Sequence, residues 1–250
     1  MISVSVANGW EDWRRCSRRL IGAKISPDEV LWSGDNVPSI FKLQELPQTA
    51  TEFLVPREFL NLAEAVACFD DPGRWALLYR LLYRIVFEDR RLLEIASDDD
   101  AAAAVRMQKA VNRDVHKFHA FVRFRQAVVD GCELFLAWHE PHHFTVERAA
   151  PFFARRFGSM CFSIFTPKGC AHWDLRELSF SPPALRSQVP DEDGTEKFWL
   201  EYYRSIFNPF RLKVRAMKSE LPVRHWRTLP EAVLIPGLIA DASRGIEKGR

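Results

Sequence analysis

Residues 118–139 read FHAFVRFRQAVVDGCELFLAWH, and their alternation decides the fold. Phe118 to Val129 and Glu133 to His139 are aromatic and β-branched runs of period two. Between them lies Asp130-Gly131, a dipeptide that accepts the positive φ of a tight hairpin turn. The pair predicts a β-hairpin. Downstream, Thr145 opens an amphipathic helix with Val146, Ala149, Phe152, Phe153 and Phe157 apolar, Glu147, Arg148, Arg155 and Arg156 on its charged flank, and Gly158 as its close. Phe162 to Thr166 and Ala171 to Leu175 then read as a second hairpin around Pro167-Lys168-Gly169. The order β-β-α-β-β predicts an α+β protein: a central antiparallel sheet with a helix on one face, packed among several helices.

Upstream, the acidic run Asp98 to Asp100 and the alanines 101–104 predict a long helix to about Lys117, because carboxylates satisfy the exposed N–H groups of a helix start. Trp75 to Phe87 is a nearly all-apolar helix, expected to be buried. Pro56 suits the first turn of the helix carrying Phe59, Leu60, Ala63 and Val66. Ile2 to Val6 and Glu29 to Trp32 read as short strands flanking a charged helix from Trp10, with Gly22 as its stop. Residues 1–50 are therefore read as a β/α extension and 51–250 as the main domain, the two forming one compact unit.

The 250 residues are 47% hydrophobic and 27% charged, which supports a folded core and excludes a disordered chain. No apolar stretch approaches the ~20 residues of a membrane span. No basic segment precedes an apolar one at the N-terminus, so the expected location is the cytoplasm. Five cysteines without a CxxC pair read as reduced thiols. Cys161 and Cys170 flank the second hairpin either as a facing pair or as two small buried hydrophobes; a reducing compartment favours the second. A net charge of +2 leaves only the distribution of charge to carry information.

Four strings carry a resemblance: 115–125 (VHKFHAFVRFR), 135–143 (FLAWHEPHH), 150–157 (APFFARRF), and 205–209 (SIFNP) with its continuation to Trp226. From Val55 onward the chain resembles a domain of unknown function described as a DNA repair or DNA metabolism protein. In that family the domain stands alone beside a radical S-adenosylmethionine (radical SAM) DNA-repair protein, or is fused behind a uracil-DNA-glycosylase-like domain. The resemblance thus implies DNA and a radical SAM enzyme as partners. One departure is visible: the family commonly has Trp-Asp-Gly where this chain has Trp173-Asp174-Leu175. Neither partner's activity is expected here, since the chain has no Gly-rich water-activating loop and no CxxxCxxC cluster. No cofactor is predicted.

Basic residues make the best functional pattern. His116, Lys117, Arg123 and Arg125 occur without an intervening acid, and strand alternation would put both arginines on one face. Arg211, Lys213, Lys218 and Arg224 are interleaved with Phe210 and Trp226, a mixture that neutralises phosphates and offers rings to unpaired bases. The plainer reading is a solvated helix face.

His116, His119, His143 and His172 are weak catalytic candidates: imidazoles that would have to converge over one sheet end to move protons or hold a metal. Histidines bonded to backbone carbonyls are the simpler reading. The letters HExxH at 139–143 do not make a zinc helix, because Pro141 breaks the required turn, and no metal is expected. The expected function is a nucleic-acid-binding accessory to a separate radical SAM or glycosylase-type enzyme. A nucleic-acid-processing enzyme with a His-rich site, or a protein-binding scaffold that does not touch DNA, are the alternatives. The sequence itself reveals no catalytic reaction.

Overall fold

A computed structural model describes residues 1–6, 9–33, 53–129 and 132–186. Contacts divide the chain between Asp114 and Val115 into two compact units. The first unit opens with strand β1 (Ile2–Ser5), helix α1 (Trp10–Gly22) and strand β2 (Val30–Ser33). The two strands pair in parallel, Ile2 opposite Val30, because a helical crossover returns the chain in its starting direction. Helices α2 (Arg57–Ala67) and α3 (Arg74–Phe87) complete this core.

Trp13 is its centre. It is 2% exposed, donates from Nε1 to the Trp75 carbonyl at 3.1 Å, and stacks on Trp10 with ring centroids 5.3 Å apart. Tyr79 is fully buried because its hydroxyl reaches the Ile25 carbonyl at 2.8 Å, and burial raises its pKa. Helix α1 stops at Gly22, as the sequence reading expects, and beyond it Lys24, not a glycine, takes the left-handed position at φ 55°, with the Lys24 N–H bonded to the Ile21 carbonyl and the Ile25 N–H to the Leu20 carbonyl.

Helix α4 (Asp99–Phe121) links the units. It runs past the expected end at Lys117 because Val111, Phe118 and Val122 continue a buried helical stripe, which overrides the local strand pattern. In the second unit, strands β3 (Arg125–Val129), β4 (Cys132–Trp138), β5 (Phe162–Phe165), β6 (Cys170–Trp173) and β7 (Leu178–Ser181) form one sheet in that order, with α5 (Val146–Arg156) between β4 and β5. The α+β class is as expected, but the sheet is mixed rather than wholly antiparallel. Helix α5 makes a crossover, so β4 and β5 run parallel, Phe135 opposite Phe162. Strand β7, to which the sequence reading assigns no element, adds to β6 with Trp173 opposite Leu178. Cys161 precedes β5 and Cys170 begins β6, at opposite ends of a hairpin whose register pairs Phe162 with Trp173; both are free thiols. Among the described residues, no helix is long and apolar enough to cross a membrane.

The turn from β6 to β7 explains the departure at Leu175. Asp174 Oδ1 accepts the N–H groups of Glu177 at 2.7 Å and Arg176 at 2.9 Å, which holds its carboxyl below the ordinary carboxylate range. Leu175 stands at φ 78°, a conformation costly for a branched side chain, and its side chain is exposed. Leu175→Gly is therefore expected to raise stability by about 1 kcal/mol, read as a higher urea midpoint at unchanged slope. A lower midpoint would show that the leucine side chain contributes more than its backbone costs.

Candidate nucleic-acid interface

Two faces of the five-stranded sheet have different chemistry. Phe135, Ala137, Phe162, Ile164 and Ala171 meet α5 and the end of α4 through Phe118, Ala149 and Phe153. On the opposite face Leu134, Leu136, Trp138 and Phe165 form a separate cluster. Strand alternation puts Arg125, Ser163 and His172, aligned across the sheet through Leu136, on this second face.

The first face anchors a cationic surface on α4 and α5. Phe153, 2% exposed, touches the rings of Phe118, Phe124 and Phe152 at 6.1, 5.8 and 5.2 Å, locking α5 against the α4 terminus. His119 completes the joint. Its ring stacks on Phe152 at 4.3 Å, and its Nε2–H donates to the Ala149 carbonyl at 3.2 Å. Burial holds its pKa below the ordinary histidine value, outweighing that carbonyl, and the charges of His116 and Arg155 push the same way. His119 is therefore a neutral strut at pH 7.

On α4 His116 is exposed and Lys117 half-buried, and on α5 Arg148, Arg155 and Arg156 are exposed; of these, His116 and Arg155 lie close enough to His119 to act on its pKa. Arg148, Phe152 and Arg155 are spaced i, i+4, i+7, one stripe of the helix. Among the described residues, none of these basic side chains is ion-paired. In the first unit the contrast is plain: Arg80 pairs with Asp100 at 2.7 Å and Arg84 with Asp98 at 2.5 Å. The sequence reading placed Arg148, Arg155 and Arg156 only on a charged flank. Their helical spacing was the available signal, and the adjacency of α4 was not.

Arg123 and Arg125 do not form the expected strand pair. Arg123 precedes β3 and turns back, donating Nη1–H to the carbonyls of Ala120 at 2.7 Å and Val122 at 3.2 Å, which places its charge at the negative end of α4. Arg125 begins β3 and is buried on the other side of the sheet. Arg211, Lys213, Lys218, Arg224 and Trp226 lie outside the described residues.

The histidines do not converge. His119 belongs to the helical face and His172 to the opposite one. His139 is fully buried after β4, its ring 4.4 Å from Phe118. His143 is half-buried in the following connection, where its carbonyl accepts the Thr145 N–H at 2.8 Å. Among the described residues, no group of three His, Cys, Asp or Glu side chains is arranged to hold a metal.

His172 contacts Ser163 Oγ through Nδ1 and Ser181 Oγ through Nε2, both at 2.8 Å, and burial lowers its pKa. A serine beside a neutral imidazole has nucleophile-base geometry. Ser181, however, is followed by Pro182 and Pro183, which supply no N–H to an oxyanion. The arrangement reads as a polar tie across β5, β6 and β7.

Compared with known proteins, residues 72–231 match the family model of the domain of unknown function DUF4130. No curated protein and no solved structure matches the chain.

Proposed function

Because this chain belongs to the DUF4130 family, we propose that it is a cytoplasmic DNA repair or DNA metabolism accessory that binds nucleic acid and works beside a separate radical SAM or glycosylase-type enzyme. The observation that carries the binding is the set of exposed α5 arginines Arg148, Arg155 and Arg156, with His116 near Arg155 at the His119 joint, none of them ion-paired among the described residues. The resemblance of the chain to a DNA-repair-associated domain supports DNA as the polyanion. Phosphate neutralisation releases condensed counterions, so such a surface binds in a strongly salt-dependent way. Half-buried Phe152, on the same helical stripe as Arg148 and Arg155, fits an unpaired base better than a closed duplex.

Fluorescence anisotropy of labelled single-stranded and duplex DNA, with and without uracil, tests this at several salt concentrations. The triple variant Arg148→Ala, Arg155→Ala, Arg156→Ala is expected to lose about tenfold in affinity at low salt. Its slope of log affinity against log salt should become shallower by about 2 for single strands. Equal affinity and slope would remove this face from the interface. The variant Arg211→Ala, Lys213→Ala, Lys218→Ala measures the second basic segment independently.

A further inference from the structure

Helix α4 has two contrasting faces. Ala104 and Val111, seven residues apart, are buried on one side. The opposite side carries Arg106, Lys109 and Arg113, all exposed and spaced i, i+3, i+7. Among the described residues none of the three is ion-paired. The acids nearest in sequence do not neutralise them: Asp98 and Asp100 pair with Arg84 and Arg80, Asp114 is buried, and exposed Asp99 stands about two turns before Arg106. Three features narrow what this face binds. The cations form a straight row about 10 Å long, too extended to close on one small anion and suited to a linear polyanion. Between Ile95 and Phe144 no large apolar side chain among the described residues is exposed, so the row lacks the apolar core that a protein interface needs. The apolar stripe of the helix is already buried within the protein and cannot enter a lipid surface.

We infer that the Arg106, Lys109 and Arg113 face of α4 is a track for the sugar-phosphate backbone of a single nucleic-acid strand, bound without regard to its bases. The inference rests on the nucleic-acid reading above and adds the element that carries the backbone. Each cation neutralises a phosphate and releases its counterion. A duplex winds its strands about a stiff axis and leaves a straight row after a few phosphates, whereas a single strand bends to follow it. No exposed aromatic ring accompanies the row among the described residues, so nothing there stacks a base. Half-buried Phe152 on α5 is the contrast, an aromatic ring on the same stripe as two arginines.

The probes are a fluorescein-labelled thymidine strand of about 16 nucleotides, the upper site size of one single-strand module, and an abasic strand of the same length. Both are titrated by anisotropy into the full chain at several salt concentrations. The triple variant Arg106→Ala, Lys109→Ala, Arg113→Ala is expected to lose about tenfold in affinity on both probes at low salt. Its slope of log affinity against log salt should become shallower by about 2, the value for three phosphate contacts on a single strand. Alanine is the best helix former at exposed positions, so the urea midpoint should not fall. Lys109→Gln alone repeats the test with one contact, about 0.7 of slope. Arg106→Lys with Arg113→Lys, which keeps the charges, is expected to bind like wild type. Affinity and slope unchanged by the triple variant, a loss confined to the thymidine probe, a greater loss on duplex than on single strand, or equal competition by polyglutamate would each overturn the inference. The α5 triple variant separates the two readings. Loss from it alone sinks only the track, loss from the α4 variant alone sinks only the α5 interface, and no binding of the wild-type chain to either probe sinks both.

Discussion

Phe153→Ala is expected to destabilise the second unit by about 3–5 kcal/mol, the range for emptying a fully buried phenylalanine site. The ring lies between the end of α4 and α5, with Phe157 and Phe124 closing it from the sides at 6.4 and 5.8 Å. Few of these aromatic neighbours can collapse into the void, because each is held by another ring: Phe124, for instance, also packs on Phe162 at 5.1 Å. The consequence reaches the interface. With α5 loosened, His119 loses both Phe152 and the Ala149 carbonyl, so Arg155 no longer keeps its place beside His119. A urea titration should show the loss, and DNA affinity measured where the variant is still folded should fall with it. Phe153→Leu, which keeps most of the volume, should retain most of both. A folded Phe153→Ala protein with native DNA affinity would show that the cations bind without a fixed α4–α5 joint.

Asp98→Ala is expected to cost about 2 kcal/mol, combining a lost helix cap with a lost charge-assisted pair. Asp98 Oδ1 accepts the Ala101 N–H at 2.9 Å and so caps α4. Its carboxylate also receives both Arg84 Nη groups, at 2.5 and 3.3 Å. The guanidinium is the main reason its pKa lies below the usual carboxylate value, and the Ala101 amide adds to it. A depressed folded pKa contributes stability above the unfolded value near 4, and that contribution is lost as pH falls through the folded pKa. Wild type should therefore weaken on acidification below about pH 4 more than Asp98→Ala does. Asp98→Asn, which retains the cap but not the charge, should lie between them at neutral pH. Parallel pH profiles for wild type and Asp98→Ala would exclude the pair as a source of acid sensitivity.

The local elements were largely legible in the sequence because their signals are local. The acidic run at 98–100 starts α4, Pro56 precedes α2, and Thr145 precedes α5. The apolar run at 75–87 is a buried helix whose Trp75, Leu78 and Tyr79 are all within 1% exposure. Two readings failed where long-range packing outweighed local pattern. Phe118 looks like a strand residue by alternation, yet its burial against α5 and the sheet keeps α4 helical to Phe121. Arg123 and Arg125 look like a same-face pair, yet the chain leaves the helix between them, and only Arg125 joins the sheet.

The candidate sites were less legible for the same reason. Six of the seven histidines lie between residues 116 and 172, and sequence proximity suggested a cluster. The strand register instead sends His172 to one face of the sheet while α5 holds His119 on the other. From the sequence alone came the α+β class, the order of most elements and the basic clusters at 116–125 and 204–227, since periodicity, capping residues and charge are properties of neighbours along the chain. Tertiary structure decided that β4 and β5 run parallel, that His116 and Arg155 meet at His119, and that the histidines part. Each depends on which distant surfaces bury one another, a choice made by packing across the sheet that no local window of residues contains.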